Sequence, residues 1–398
     1  MLLGKKLLQV VLFGVCAALL LTGCEPLHKP LSFTEAGKLE VRKVSKKLNP
    51  GQQYLPDWEA MEPAVARSLE FLSSKDPGQR AIEHPDADLT WGDLARSLRE
   101  FRKIAPRLEE DPDLLGKRFV WLNLQPDLLL TGYYEPLVPA SLTRTPEYRY
   151  PLYGCPDDLQ KADLGKFHPR WEGQSLLYRI TDGRIQPYFD RQEIDSEQAL
   201  SGRGLEIAWA MNPADVFFLQ IQGSGRLLLP DGSIKHVLYS GKNGHQYVSL
   251  GRVLIERGHL SKDEVSMQSI RRFLSENREI AADLLETNPS YVFFRLEDSG
   301  PYGSMNKILT PFISVASDHT LFPPGSLAVV DTTLPSPLLP EGRPWRGVVL
   351  PQDAGGAIKG GRMDLFCGFG ENAEYIAGHL NSRAEAYLLV SKEVVKNR

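Results

Sequence analysis

Apolar positions follow different patterns in different parts of the chain. Leu7 to Leu21 form an apolar run interrupted only by Gln9 and Gly14, preceded by Lys5 and Lys6. Farther on, Trp91, Leu94, Leu98, Phe101 and Ile104 recur every three or four residues, a stripe that predicts a helix. Thr90 and Asp93 stand where its N-cap and reciprocal partner belong. Elsewhere short apolar stretches are broken by turn residues, which predicts strands. Residues 118–136 read this way. Thr181-Asp182-Gly183 joins Leu177–Ile180 to Arg184–Tyr188 as a hairpin, and Pro230-Asp231-Gly232 joins Leu227–Leu229 to Ile234–Tyr239 as another. The run Val216 to Gln222 predicts a strand ending in Gly223-Ser224-Gly225. Two helices are expected next. One runs from Ser249 to Arg257 and stops at Gly258. The other opens at Ser261, with Glu264 completing a capping box, and continues, whole or broken, to about Glu286 before Asn288-Pro289. Strands resume at Tyr291–Arg295, Phe312–Ala316, Leu327–Val330, Trp345–Leu350 and Ala386–Val390. The middle block carries its own β and α signals, so it reads as an insertion that splits one parent domain.

Composition narrows the class. Of 398 residues, 24% are charged and 42% apolar, which excludes a polytopic membrane protein and a disordered chain. A formal charge of −4 leaves no basic excess to bind nucleic acid. The 34 Gly and 29 Pro favour short strands and many turns over a helical bundle. The N-terminal charge-then-apolar layout is that of a signal peptide over residues 1–23. Leu21-Thr22-Gly23-Cys24 resembles a bacterial lipobox, so Cys24 is the expected lipidated first residue of a mature chain with formal charge −6. Glu25, rather than Asp, favours the outer membrane, with the protein facing the periplasm. Residues 24–60, polar and rich in Lys and Pro, read as a lipid-anchored tether. Cys155 and Cys367 then remain; an oxidising compartment permits a disulfide, but nothing local argues for one.

Candidate chemistry is concentrated in a few places. The eight histidines are scattered without the spacing that sets two on one helix face, so no metal site is expected. There is no G-x-S-x-G elbow, and the 356–361 segment lacks the features of a phosphate loop. The strongest cluster is Gln352 to Phe366, where Asp353 and Asp364 flank a glycine-dense turn. A carboxyl entering a strand among Met363, Leu365 and Phe366 is partly desolvated, which favours its protonated form and suits a general acid. A tight hairpin whose Asp residues only satisfy backbone N–H groups fits the spacing as well. Thr131-Gly132-Tyr133-Tyr134-Glu135-Pro136 places adjacent tyrosines on opposite strand faces, one free to stack on a sugar ring; ordinary core aromatics are the alternative. Gln220, Gln222 and Ser224 form a row of polar groups suited to a polyol, or simply a solvated face.

Together these motifs resemble the membrane-bound lytic murein transglycosylase A family. The matching stretches are TGYYEP (131–136), QIQGSG (220–225), YSGKNGHQY (239–247), SMQSIRRF (266–273), NPSYVFFR (288–295), SVASD (314–318), PPGS (323–326) and DAGGAIKGGRMD (353–364). The resemblance implies a mainly β fold: a double-psi β-barrel, like that of barwin and related endoglucanases, built from residues 61–138 and 296–398. A second β-rich domain, residues 139–295, is inserted in it, with the substrate groove between them. It also implies a peptidoglycan lytic exotransglycosylase, a carbon–oxygen lyase that cuts the β-1,4 bond between N-acetylmuramic acid and N-acetylglucosamine without water. The residues themselves leave endo or exo action open. By the same resemblance Asp364 is the catalytic acid and then base, and Asp353 supports it. Arg362-Met363 stand where the related endoglucanases have His-Phe. Thr131, Tyr133, Tyr134, Gln220, Gln222, Ser224 and Lys359 are the implied substrate contacts. No cofactor is required. Expected partners are peptidoglycan glycan strands, the membrane through the anchor and a cell-wall synthesis complex, for a monomeric protein. The alternatives are a hydrolytic endoglycosidase on the same fold and a non-catalytic peptidoglycan-binding lipoprotein.

Overall fold

The computed structural model describes residues 30–396. The predicted signal segment and Cys24 lie outside them. No helix among the described residues is long and apolar enough to cross a membrane.

Six strands close into a barrel. Leu128–Glu135 pairs in parallel with Arg362–Phe369, which runs antiparallel to Ser314–Ser317. Ser314–Ser317 lies parallel to Leu339–Asp353, and Leu339–Asp353 forms a long antiparallel pair with Ala328–Ser336. Ala328–Ser336 meets Asn381–Ser391, which turns back onto Leu128–Glu135 and completes the ring. Closure leaves these six strands no unpaired edge in the ring. The strands are apolar and sealed: Leu130, Val315, Val329, Val348, Leu350, Met363, Leu365 and Leu388 have essentially no exposed surface. Phe119–Gln125 extends the sheet from Asn381–Ser391, and Ser32–Glu35 adds outside it.

That last pairing corrects the reading of residues 24–60 as a tether. From Ser32 the chain is in the sheet; Lys38–Ser45 is a helix, and Gln53 is buried, its amide donating to the carbonyls of Phe312 and Val348. Polarity misled because an edge strand and a one-sided helix need few apolar residues. The expected helix forms as Trp91–Ile104, with Leu94, Leu98, Phe101 and Ile104 buried and the Thr90–Asp93 capping box closed from both sides.

The chain leaves the barrel after Glu135. A six-stranded sheet follows, ordered Val292–Glu297, Ile234–Lys242, Ser224–Leu228, Leu137–Ser141, Glu206–Ala210 and Tyr150–Tyr153. Its own core includes Val138, Ala208, Leu219, Leu227 and Phe294. Both expected hairpins are present, the one around Asp182 within a separate three-stranded sheet. Val216 to Gln222, however, is not a strand: Pro213–Gln222 is a helix, opened by Asn212, whose side chain caps Ala214 N–H, and by Pro213 in the first turn. An apolar run buried without interruption lacks the periodicity that separates helix from strand, and Asn-Pro was the overlooked start signal. Gly223, at φ +78°, terminates it. The long helix expected from Ser261 instead begins at Met267 and breaks at Asn277 into Met267–Glu276 and Arg278–Glu286. Ser261 and Glu264 do bond one another, but over a single turn, and Ser266 caps the helix.

Candidate active site

The parallel pairing of Arg362–Phe369 with Leu128–Glu135 sets Asp364 opposite Thr131. Thr131 Oγ1 donates to Asp364 Oδ1 at 2.8 Å. Oδ2 receives no hydrogen bond from a described residue. Burial raises the Asp364 carboxyl from its ordinary 3.8 to about 6; the Thr131 bond and the Arg362 charge oppose the rise, and the Asp353 charge adds to it. Asp364 therefore holds its proton to far higher pH than an exposed aspartate.

Asp353 ends the long Leu339–Asp353 strand and is held differently. Tyr133 OH donates to its Oδ2 at 2.8 Å, and the N–H groups of Ser304 and Ala354 donate to Oδ1 at 2.8 and 2.9 Å. Burial raises this carboxyl too, while those bonds favour its charged form. Gln352, fully buried, fixes the approach: its amide donates to Ala64 O and Ser68 Oγ, and its carbonyl accepts from Ser314 Oγ. Gly303 permits the Ser304 contact, because a Cβ there would lie 2.4 Å from Gln352 O. Ser304 was invisible as a site residue in the sequence, since only tertiary structure brings it to Asp353; Gln352 opened the expected cluster, but its partners Ala64, Ser68 and Ser314 are remote in the chain.

A cavity of about 670 Å³ opens between the barrel and the six-stranded sheet. Tyr133, Ser304, Asp353 and the glycines 355 and 356 line one side; Gln220, Gln222, Ser224, Tyr239 and Arg295 line the other. Five expected site residues thus converge, although Gln220 and Gln222 reach the cavity from a helix end and not along a strand. Gln220 Oε1 accepts from the buried Arg191 at 2.6 Å, and Gln222 Oε1 from Tyr134 N–H at 3.2 Å.

The other four expected residues are not among those lining it: Asp364 and Thr131, bonded to one another, and Tyr134 and Lys359. Tyr134 is 2% exposed, with its hydroxyl against Met267 Sδ, so it is a core residue and cannot touch substrate. Of the adjacent tyrosines only Tyr133 faces the cavity. Lys359 is exposed beside Asp318, which binds the loop through Gly360 N–H, and is not among the residues lining the cavity. Cys155 and Cys367 are free thiols, one exposed and one buried. No group of three or more potential metal ligands occurs among the described residues.

Two family models match the chain: the MltA specific insert domain over residues 129–295 and the 3D domain over residues 313–390. The membrane-bound lytic murein transglycosylase A of Vibrio cholerae is 32% identical over 337 residues, spanning 80% of this chain and 83% of that one. The chain belongs to the membrane-bound lytic murein transglycosylase A family. It is accordingly a peptidoglycan-cleaving lyase of the lytic transglycosylase class. A crystal structure of the membrane-bound lytic murein transglycosylase from Agrobacterium tumefaciens superposes with a TM-score of 0.74, at 29% identity, covering 93% of this chain and 99% of that one. The Escherichia coli MltA structure with bound chitohexaose shares the fold at a TM-score of 0.67 and 24% identity, covering 92% and 95%. The boundary between the matched segments falls where the chain passes from the six-stranded sheet back into the barrel.

Proposed function

We propose that this protein cleaves the glycan of peptidoglycan non-hydrolytically, with Asp364 as the single acid and then base. The observation that carries the reading is the contrast between the two carboxylates. Asp353 has both oxygens occupied by three donors, whereas Asp364 has one oxygen held by Thr131 and the other without a donor among the described residues. A hydrolytic glycosidase needs a second carboxylate free to act as nucleophile or to activate water. Asp353, so occupied, suits a supporting role: holding the loop and Tyr133.

The reaction balances with one carboxyl. Protonated Asp364 gives its proton to the glycosidic oxygen as the C1–O4 bond of the muramyl residue breaks. The muramyl C6 hydroxyl then bonds to C1 and returns a proton to Asp364. Water is neither consumed nor released, and the product is a 1,6-anhydro sugar. A carboxyl titrating near 6 is matched to both transfers. Tyr133 offers a ring face, and Gln220, Gln222 and Ser224 offer polar contacts to sugar hydroxyls. The chitohexaose held by the Escherichia coli relative fits a glycan in this groove.

The six-stranded barrel is assigned the double-psi type, supported by its two parallel pairs, and residues 139–295 the role of an inserted domain that forms the far groove wall. The lipobox supports anchoring of a monomer through Cys24 to the outer membrane, facing the periplasm, in reach of cell-wall synthesis complexes. The test is the Asp364→Ala variant. It should bind glycan strands but release no anhydromuropeptides; near-normal release would overturn the assignment.

A further inference from the structure

A second cavity, of about 440 Å³, is separate from the groove and is lined by Pro213 and Val216 at the N-terminal end of the Pro213–Gln222 helix. Its size falls among those that take small ligands. The lining is neither plainly apolar nor of one charge. Arg144, Arg149 and Arg278 line it together with Asp195, Glu206 and Glu286, beside Tyr153 and Trp209. Guanidinium groups favour a ligand carboxylate, carboxylates favour a ligand ammonium, and the aromatic faces favour an aliphatic body between them. A neutral sugar oligomer would leave this charge set unused.

The two cavities meet the helix toward its opposite ends. Val216 lines the second cavity, and Gln220, one turn on, lines the groove. Arg191, 2% exposed between the rings of Phe217 and Tyr291, ties them together. Its Nη1 lies 3.4 Å from Asp195 at the second cavity, and its Nη2 donates to Gln220 Oε1 at 2.6 Å in the groove wall. One helical turn rises about 5.4 Å, and an extended peptide of four residues spans about 13 Å, so a short branch leaving a glycan in the groove is long enough to cover that separation.

We propose that this cavity binds the short zwitterionic peptide carried by the glycan, so that the enzyme reads a peptide branch as well as the sugar chain. The inference rests on the glycan lying in the groove as proposed above. Two measurements test it. In the first, kcat/KM is compared on peptidoglycan and on the same strands stripped of peptide by an amidase. The intact chain should favour the peptide-bearing strands at least about fivefold; Trp209→Ala and Arg278→Glu should lose that preference and keep the rate on stripped strands. Equal rates on both substrates for the intact chain, or variants that depress both rates alike, would overturn the proposal. In the second, a free murein tetrapeptide is titrated into the Asp364→Ala protein by calorimetry, which reads binding whatever residue performs the chemistry. Saturable binding that is at least about fivefold weaker after Arg278→Glu supports the site. Binding of a peptide-free chitooligosaccharide that depends on Trp209 and Arg278, with none of the peptide, would contradict it.

Discussion

Replacing Asp364 by Asn should stabilise the protein at alkaline pH and much less so in acid. The folded carboxyl titrates at about 6, against 3.8 when unperturbed. The folded state therefore binds this proton more tightly than the unfolded state, and the group's stabilising contribution, complete below 3.8, is lost as pH rises to 6. At 1.36 kcal/mol per pKa unit the loss is at most about 3 kcal/mol. Solvent reaching the half-buried carboxylate reduces it to about 2 kcal/mol. Asn keeps the shape, cannot ionise, and can bond the Thr131 hydroxyl in either sense. Urea midpoints at about pH 4 and pH 8, with unchanged slopes, measure the difference. The variant should gain about 2 kcal/mol at the higher pH and about 0.5 kcal/mol at the lower. A variant no more stable than the parent at the higher pH, or equally stabilised at both, would refute the claim that burial of an ionisable Asp364 strains this site. Such a gain, paired with loss of activity, is the usual trade between stability and function.

Thr131→Val removes the hydroxyl that donates to Asp364 Oδ1. A hydrogen bond to a charged group is worth about 1.5–3 kcal/mol, so the carboxyl should rise by roughly 1–2 pKa units and the alkaline limb of the kcat/KM profile should move up by as much; an unmoved limb or a downward shift would contradict the assignment. Gly303→Ala would set a Cβ 2.4 Å from Gln352 O and displace the Ser304 N–H from Asp353, so kcat should fall about tenfold or more with the fold retained by circular dichroism. Gly356→Ala, whose Cβ would meet no protein atom within 4 Å, should leave the urea midpoint unchanged and serves as the folding control.

The sequence disclosed most where one local rule governs one element. The Trp91–Ile104 helix announced itself by stripe and capping box together, and the hairpins by their Asp-Gly turns. Asp364 was legible as a carboxyl among apolar neighbours, because strand burial shifts a pKa whatever the fold. Legibility failed where context decides. Val216 to Gln220 is buried without interruption, so its apolar run reads equally as strand or helix. Ser32–Glu35 is polar because it pairs at an edge, and pairing with Phe119–Gln125 cannot be seen locally. Tyr133 and Tyr134 were separable in principle by strand alternation, but not which of them faced the groove. Arg191 lies far in sequence from Gln220, Asn288 and Ser290, all of which it bonds, so no spacing pattern could reveal it.

The central claim is that an internal hydroxyl, and not water, takes the place of the leaving sugar. Digesting peptidoglycan with the purified protein in heavy-oxygen water and weighing the soluble products tests it directly. The account predicts anhydro products one water lighter than hydrolytic ones, free of solvent oxygen, and none from Asp364→Ala. Solvent oxygen at the muramyl C1 of the products would contradict it.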